Sequence, residues 1–310
     1  MKKWWKFLLL LFLCITFAST ILFMELKEDI LRIGVHEYGQ SDYKVEDPSL
    51  SISSNDLHST NAMLTRLNDT TIFLEKNSAE KLYPASLTKI MTAIVAIENL
   101  SNLQEEIRFT HYTFSELYTA NASMAGFQPN ESVRAIDLLY GVMLPSGAEA
   151  CIGLADHIAG SEQSFVKMMN QKAADLGMSH SHFVNTTGLH DENHYTTVED
   201  LTTLLKYALE NDIFREIFTA PRHSTQPTNT HDGITFYSTM FEKLSNPTIA
   251  GGEILGGKTG YTGEAGLSLA SLAKVGNQEY ILISAGAKGD PYSEQYNIID
   301  ALAIYNSIGK

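Results

Sequence analysis

The stretch YPASLTKIMTAIVAIENL, Tyr83 to Leu100, decides how the rest of the chain is read. Pro84 and Ala85 lead into an apolar run, and Ser86 stands where a cap or first-turn residue belongs. Leu87, Ile90, Met91, Ile94, Val95 and Ile97 cover most of a helix circumference, the pattern of a buried helix. A capping box would place Glu or Gln three residues after the serine. This segment has Lys89 there, a cation facing the positive end of the helix dipole. Two readings stay open from this segment alone. Lys89 is a surface lysine that snorkels outward, or it is a base beside a nucleophilic Ser86. Residues three apart share a helix face, and burial at a helix N-terminus disfavours the charged amine. The same N-terminus presents backbone N–H groups to an oxyanion.

The Ser-x-x-Lys spacing carries no weight by itself, because it recurs: Ser86–Lys89 shares it with Ser78–Lys81, Ser164–Lys167 and Ser271–Lys274, among others. Only Ser86 opens a long buried helix. Two distant elements strengthen that pair. LPSGAEA places Ser146 just before a helix start, and GGKTGYTGEAG places Lys258, Thr259 and Gly260 on a strand beside a hairpin. Nucleophile, base, proton relay and carboxylate-binding cation are the groups an acyl-transfer site needs. Lys258 offers the cation, Thr259 a hydroxyl donor, and Gly260 a gap where substrate approaches backbone.

The net charge of −14 over 310 residues excludes the basic stripe of a nucleic-acid binder. Lys2, Lys3 and Lys6 precede Phe7 to Met24, which carry no charge. That run is at the short end for a spanning helix and long for a signal-peptide core. No small-x-small cleavage site follows it, which favours an uncleaved anchor over a cleaved signal. The lysines then stay inside and the remainder faces outward. Of the two cysteines, Cys14 lies in the apolar run and Cys151 in a helical apolar pattern, so no disulfide forms within the folded part. Cys151 reads as a buried small residue.

Residues 1–24 are therefore expected to form an anchor or signal segment, 25–56 an acidic flexible linker, and 57–310 the folded domain. NAMLTRLNDTTIFLEKN reads as a hairpin around Asn68 and Asp69. Helices are expected near Glu131–Met143, up to Gly160, between Ser161 and Gly177, after Thr197, and over about Ser293–Ile308. GLSLASLAKVGNQEYILISAGA reads as a hairpin turning at Gly276 and Asn277. This order predicts an α+β fold, one antiparallel sheet built from both ends of the chain and flanked by helices, with a helical subdomain inserted.

Ser-x-x-Lys, a serine–asparagine element and Lys-Thr-Gly, in that order, form the motif set of class A β-lactamases and penicillin-binding proteins. YPASLTKIMTA, LLYGVMLPSGAEA and KTGYTGEAGLSLA resemble the low-molecular-mass penicillin-binding proteins, serine-type D-alanyl-D-alanine carboxypeptidases. ASMAGFQPNESV and FVNTTGLHDENHYTTVEDL resemble them more weakly. The resemblance runs from about Leu57 to the C-terminus and implies a β-lactamase/transpeptidase-like fold. It implies that Ser86 attacks the carbonyl between the last two D-alanines of a peptidoglycan stem peptide and that Lys89 takes its proton. Ser146 would relay a proton to the leaving amine, and Lys258 with Thr259 would hold the terminal carboxylate. The backbone N–H groups of Ser86 and Tyr261 would form the oxyanion hole. β-Lactam antibiotics would acylate the same serine, and no metal or other cofactor is required. The implied location is the outer face of the cell membrane, or the exterior if the first segment is cleaved.

One departure stands out. The family asparagine two residues after the relay serine is Ala148 here. One lost hydrogen bond of that kind costs on the order of 1–3 kcal/mol, which slows an enzyme without abolishing it. Glu149 is the neighbour placed to substitute in part. Three alternatives remain: a binding protein with weak turnover, a β-lactamase using Glu192 to activate water, and a zinc peptidase using His180, His182, His190 and His194. The last lacks metallopeptidase spacing.

Overall fold

The computed structural model describes residues 50–69, 71–110 and 112–309. The expected anchor and most of the expected linker lie outside the described residues. Packing extends to the N-terminal side of Leu57: Leu50 and Ile52 lie against the core, and Ser53 caps a 3-10 turn, Ser54–Asp56. Among the described residues no helix is long and apolar enough to cross a membrane.

The centre is a six-stranded antiparallel sheet drawn from both ends of the chain. β1 (Asn61–Arg66) and β2 (Ile72–Lys76) form the first hairpin. β8 (Gly252–Thr262), β9 (Gly266–Val275) and β10 (Gln278–Ala287) form the late meander, with the short β7 (Thr248–Ile249) at its edge. The order is β2-β1-β10-β9-β8-β7. β1 pairs with β10 in a register that sets Met63 opposite Ile283. The turn between β9 and β10 falls on Gly276 and Asn277 as expected, with Gly276 at φ +59°.

The period-2 alternation of the strands feeds two cores. Ala270 and Leu272 of β9, with Ile281 and Ile283 of β10, face the large helical core. Leu269, Ala273 and Leu282 face the opposite side, where the C-terminal helix Tyr296–Ser307 lays down Ile298, Ala301, Ile304 and Tyr305. Asp300 of that helix accepts from the backbone N–H groups of His58 and Ser59, tying the two ends of the described chain together.

Helices fill the span between the two strand sets: α1 (Thr88–Asn99), α2 (Tyr112–Thr119), α3 (Ala135–Met143), α4 (Ala148–Ala159), α5 (Glu162–Asp175), α6 (Val198–Leu209) and α7 (Asp212–Thr219). The expected stops and starts recur. Gly160 ends α4 at φ +77°, while Ser161 and Thr197 cap α5 and α6 through their side chains. Two expectations shift. The helix expected from Glu131 begins at Ala135, because Ser132–Arg134 (β4) pairs with Glu106–Arg108 (β3) instead. Ser86 is not a cap. It lies in a 3-10 turn, Ala85–Leu87, ahead of α1, and neither end of that turn has a side-chain cap. A hydroxyl spent on a backbone N–H would not be free for chemistry. Other elements went unread, among them α2, α7, the small hairpin β5 (Arg222–Ser224) with β6 (Thr235–Tyr237), and the single turn α8 (Thr239–Lys243).

Candidate active site

The 3-10 turn carrying Ser86 is held in a strained shape from both sides. Ala85 has φ +46°, a region costing a non-glycine residue on the order of 1–3 kcal/mol. Buried Leu87, Ile90, Met91 and Ile94 fix the following helix, each contributing roughly 1.5–3 kcal/mol by burial. Gly188 lies directly on Ala85: a Cβ there would stand 1.9 Å from the Ala85 carbonyl oxygen. On the sheet side, a Cβ on Gly260 would meet the Ser86 nitrogen at 3.2 Å and the Pro84 oxygen at 3.3 Å. The glycine of the Lys-Thr-Gly element thus lets β8 approach the nucleophile turn.

Lys89 is 2% exposed, and its Nζ donates to Ser86 Oγ at 3.2 Å and to the Thr187 carbonyl at 2.5 Å. The snorkelling alternative is therefore excluded. Burial lowers its pKa from the usual lysine range, while Cys151 and Glu149 on α4 pull it partly back. A neutral amine 3.2 Å from a hydroxyl is placed to accept that hydroxyl's proton.

Ser146 also has a positive φ, +67°, and its buried Oγ has no hydrogen-bond partner among the described residues. Both non-glycine strains named here fall at the same cavity, where such strain tends to gather. That cavity, about 870 Å³, is lined by Ser86, Ser146, Thr239, Thr259, Gly260 and Tyr261, with Ala120 to Ser123 forming a wall.

Lys258 reaches the site from behind. Its side chain is fully buried, does not line the cavity, and donates to the Thr259 carbonyl at 2.9 Å. Burial, and then repulsion from Lys89, push its pKa well below the ordinary value. Its neighbour Thr259 does line the cavity and shares a hydrogen bond with Thr239 at 2.7 Å between hydroxyl oxygens. Thr239 gave no signal in the sequence, being one threonine among many with no spacing to mark it.

Ala148 is buried at the start of α4, and its N–H donates to Ser123. Glu149 does not stand in for the missing asparagine. Its Oε1 accepts the backbone N–H groups of Ala125 at 2.7 Å, Gly126 at 2.9 Å and Phe127 at 3.3 Å. The carboxylate is committed to holding the loop that continues the cavity wall. Cys151 is buried, donates to Gly147, and burial pushes its thiol up to about 12, leaving it inert.

The loop 185–194 has a structural duty that its composition did not disclose. Asn185 Oδ1 accepts from the N–H groups of Thr187 and Gly188, which fixes the carbonyl that receives Lys89. His194 is buried with both ring nitrogens engaged: Val184 N–H donates to Nδ1, so Nε2–H donates to Thr88 Oγ1 at 2.8 Å. The other histidines are dispersed, His182 to the Asn193 carbonyl and His190 against Tyr83. Glu192 is exposed and does not line the cavity, and none of the described residues that do line it is Asp or Glu.

Burial lowers the His194 pKa from 6.5 to about 4. The folded state thus binds fewer protons than the unfolded chain between those values, so this contribution is complete above pH 6.5 and is lost as pH falls towards 4. The full span is worth about 3 kcal/mol. Thermal melts of the His194→Asn variant are expected to show a flatter pH dependence than wild type across that window. Equal slopes would contradict the assignment.

The sheet, the inserted helices and the serine–lysine pair beside a Lys-Thr-Gly strand define the fold class shared by β-lactamases and DD-transpeptidases. Residues 48–289 match the Peptidase_S11 family, D-alanyl-D-alanine carboxypeptidase, and the chain belongs to that family. It is 33% identical over 216 residues to D-alanyl-D-alanine carboxypeptidase DacF of Bacillus subtilis, covering 70% of this chain and 54% of that one. It is also 33% identical to DacC of Escherichia coli, over 71% of this chain and 54% of the relative. The chain thus spans about half the length of these curated relatives. The Streptomyces K15 DD-transpeptidase superposes with a TM-score of 0.73 at 25% identity, over 84% of this chain and 98% of that one. A Mycobacterium tuberculosis D-alanyl-D-alanine carboxypeptidase shares the fold, with a TM-score of 0.71 at 24% identity over 84% of this chain and 94% of that one.

Proposed function

We propose that this protein is a serine peptidase that removes the terminal D-alanine from peptidoglycan stem peptides through an acyl-enzyme on Ser86. The observation that carries this reading is the buried Lys89 amine 3.2 Å from Ser86 Oγ, at a cavity that also holds Ser146 and Thr259. In this reading Lys89 takes the serine proton as Ser86 attacks the penultimate carbonyl. The unpartnered Ser146 hydroxyl passes a proton to the leaving amine. The N–H groups of Ser86 and Tyr261 stabilise the oxyanion, and water releases the acyl group. β-Lactams acylate the same serine. The absence of a carboxylate among the described cavity-lining residues favours slow release of that adduct over β-lactamase turnover. The uncharged run Phe7–Met24 supports attachment to the cell membrane with the domain on its outer face.

Ala148 favours one second reading, a stem-peptide or penicillin binder with weak turnover. Incubation with an N-acylated peptide ending in D-Ala-D-Ala separates the two. Stoichiometric D-alanine release on repeated turnover supports the peptidase. Covalent penicillin labelling without release supports the binder, and neither event would refute both.

A further inference from the structure

Alanine at position 148 leaves open which group meets the substrate backbone at the start of α4. Ala148 is 1% exposed and does not line the cavity. The cavity surface on that side belongs to the wall 120–123, and the wall residue bonded to α4 is Ser123. The Ala148 N–H donates to the Ser123 carbonyl at 2.8 Å, so the two backbones are in direct contact. Ser123 is exposed and lines the cavity together with Ser86 and Ser146. Its hydroxyl makes no hydrogen bond among the described residues.

The position of that hydroxyl is set from both sides. Gly147 lets the wall lie against the helix start, because a Cβ there would stand 2.6 Å from the Ala125 Cβ and 2.9 Å from its nitrogen. Glu149 Oε1 then accepts the N–H groups of Ala125, Gly126 and Phe127. Towards α2, the Ala122 N–H donates to the Leu117 carbonyl at 3.0 Å. Ser123 sits between these two anchored stretches, and a group held in place before binding loses little freedom on binding. Asn121 also lines the cavity and carries an amide, but its N–H goes to Tyr118 in α2 and no bond ties it to α4.

We propose that Ser123 takes over the substrate contact of the absent asparagine, its hydroxyl donating to a backbone carbonyl of the bound stem peptide. This rests on the peptidase reading above and assigns a binding residue within that same cavity. The hydrogen bond missing at Ala148 is moved across one backbone contact to the facing wall.

The test measures D-alanine release from an N-acylated peptide ending in D-Ala-D-Ala by the full chain and its variants. One neutral hydrogen bond is worth about fivefold. Ser123→Ala is expected to lower kcat/KM about fivefold, mainly through KM. Its melting temperature should not change, because the wall is held by backbone bonds and Glu149. Ser123→Thr keeps a hydroxyl and should stay within about twofold of wild type, as should Asn121→Ala. Ala148→Asn is expected to gain less than about twofold in the wild-type background and to recover most of the loss in Ser123→Ala, because the two groups serve one contact. An equal gain from Ala148→Asn in both backgrounds, or a loss in Asn121→Ala in place of Ser123→Ala, would overturn the proposal. Where Ala148→Asn lowers the melting temperature, the comparison of Ser123→Ala with Ser123→Thr decides alone, and an equal loss in both would overturn it. A wild-type chain releasing no D-alanine would refute the peptidase reading and this assignment with it. Wild-type turnover unaffected by Ser123→Ala would refute this assignment alone.

Discussion

Replacing Lys89 by methionine is expected to slow covalent labelling of Ser86 by penicillin about 10²–10⁴-fold, the range general-base catalysis supplies. Methionine is close in length and apolar, so it fills the space of a side chain that is 2% exposed. Removing the buried amine relieves its desolvation but leaves the Thr187 carbonyl without that donor, so the melting temperature should change little. Lys89→Arg keeps the charge but cannot lose a proton near neutrality, and it should be as slow. A methionine variant that labels at the wild-type rate would remove Lys89 from the mechanism. The pH profile gives an independent check. In the wild type, labelling should rise with pH as Lys89 loses its proton, with a midpoint below the ordinary lysine value of 10.5 because burial disfavours the ammonium.

The largest stability effect is expected at Glu149. Its carboxylate is fully buried, and three successive backbone N–H groups depend on it. Burial raises its pKa, and those three bonds oppose the rise. Glu149→Ala strands the donors at about 1–3 kcal/mol each, partly offset by water entering the gap, for a net loss of about 3–5 kcal/mol. In a domain of this size that is a drop of about 10 °C in melting temperature. A loss under about 2 °C would mean the loop is held elsewhere. The subtler variant, Glu149→Gln, keeps an acceptor and removes the charge. Glu149 supports the charged form of Lys89, so this variant should move the rise in labelling to lower pH.

Much of this was legible in the sequence because it depends on local spacing. The apolar stripe after Ser86 announced a buried helix, and the misplaced Lys89 took on a function only beside the Ser146 and Lys-Thr-Gly elements. Strand-like segments at both ends of the chain announced a shared sheet. What could not be read depends on which distant segments meet. A lysine in a motif gives no sign of which way it faces on its strand, so the burial of Lys258 was not legible. Its burial behind Thr259 follows from the register of β8 on β9. Thr239 had no motif at all and acquires meaning only when α8 packs beside β8. Glu149 was read as a substitute for the absent asparagine, yet its partners are the N–H groups of residues 125–127, which no spacing rule connects to it. The loop 185–194 looked like a polar histidine-rich stretch. Its role is to present one carbonyl to Lys89 and one imidazole to Thr88.

The central claim is that Ser86 is the nucleophile, and it can be tested by mapping the site of acylation. The chain is treated with penicillin, digested, and analysed by mass spectrometry. The account predicts one added penicilloyl group, on the peptide carrying Ser86, and none in Ser86→Ala. An adduct on any other residue, or labelling that persists in Ser86→Ala, would contradict it.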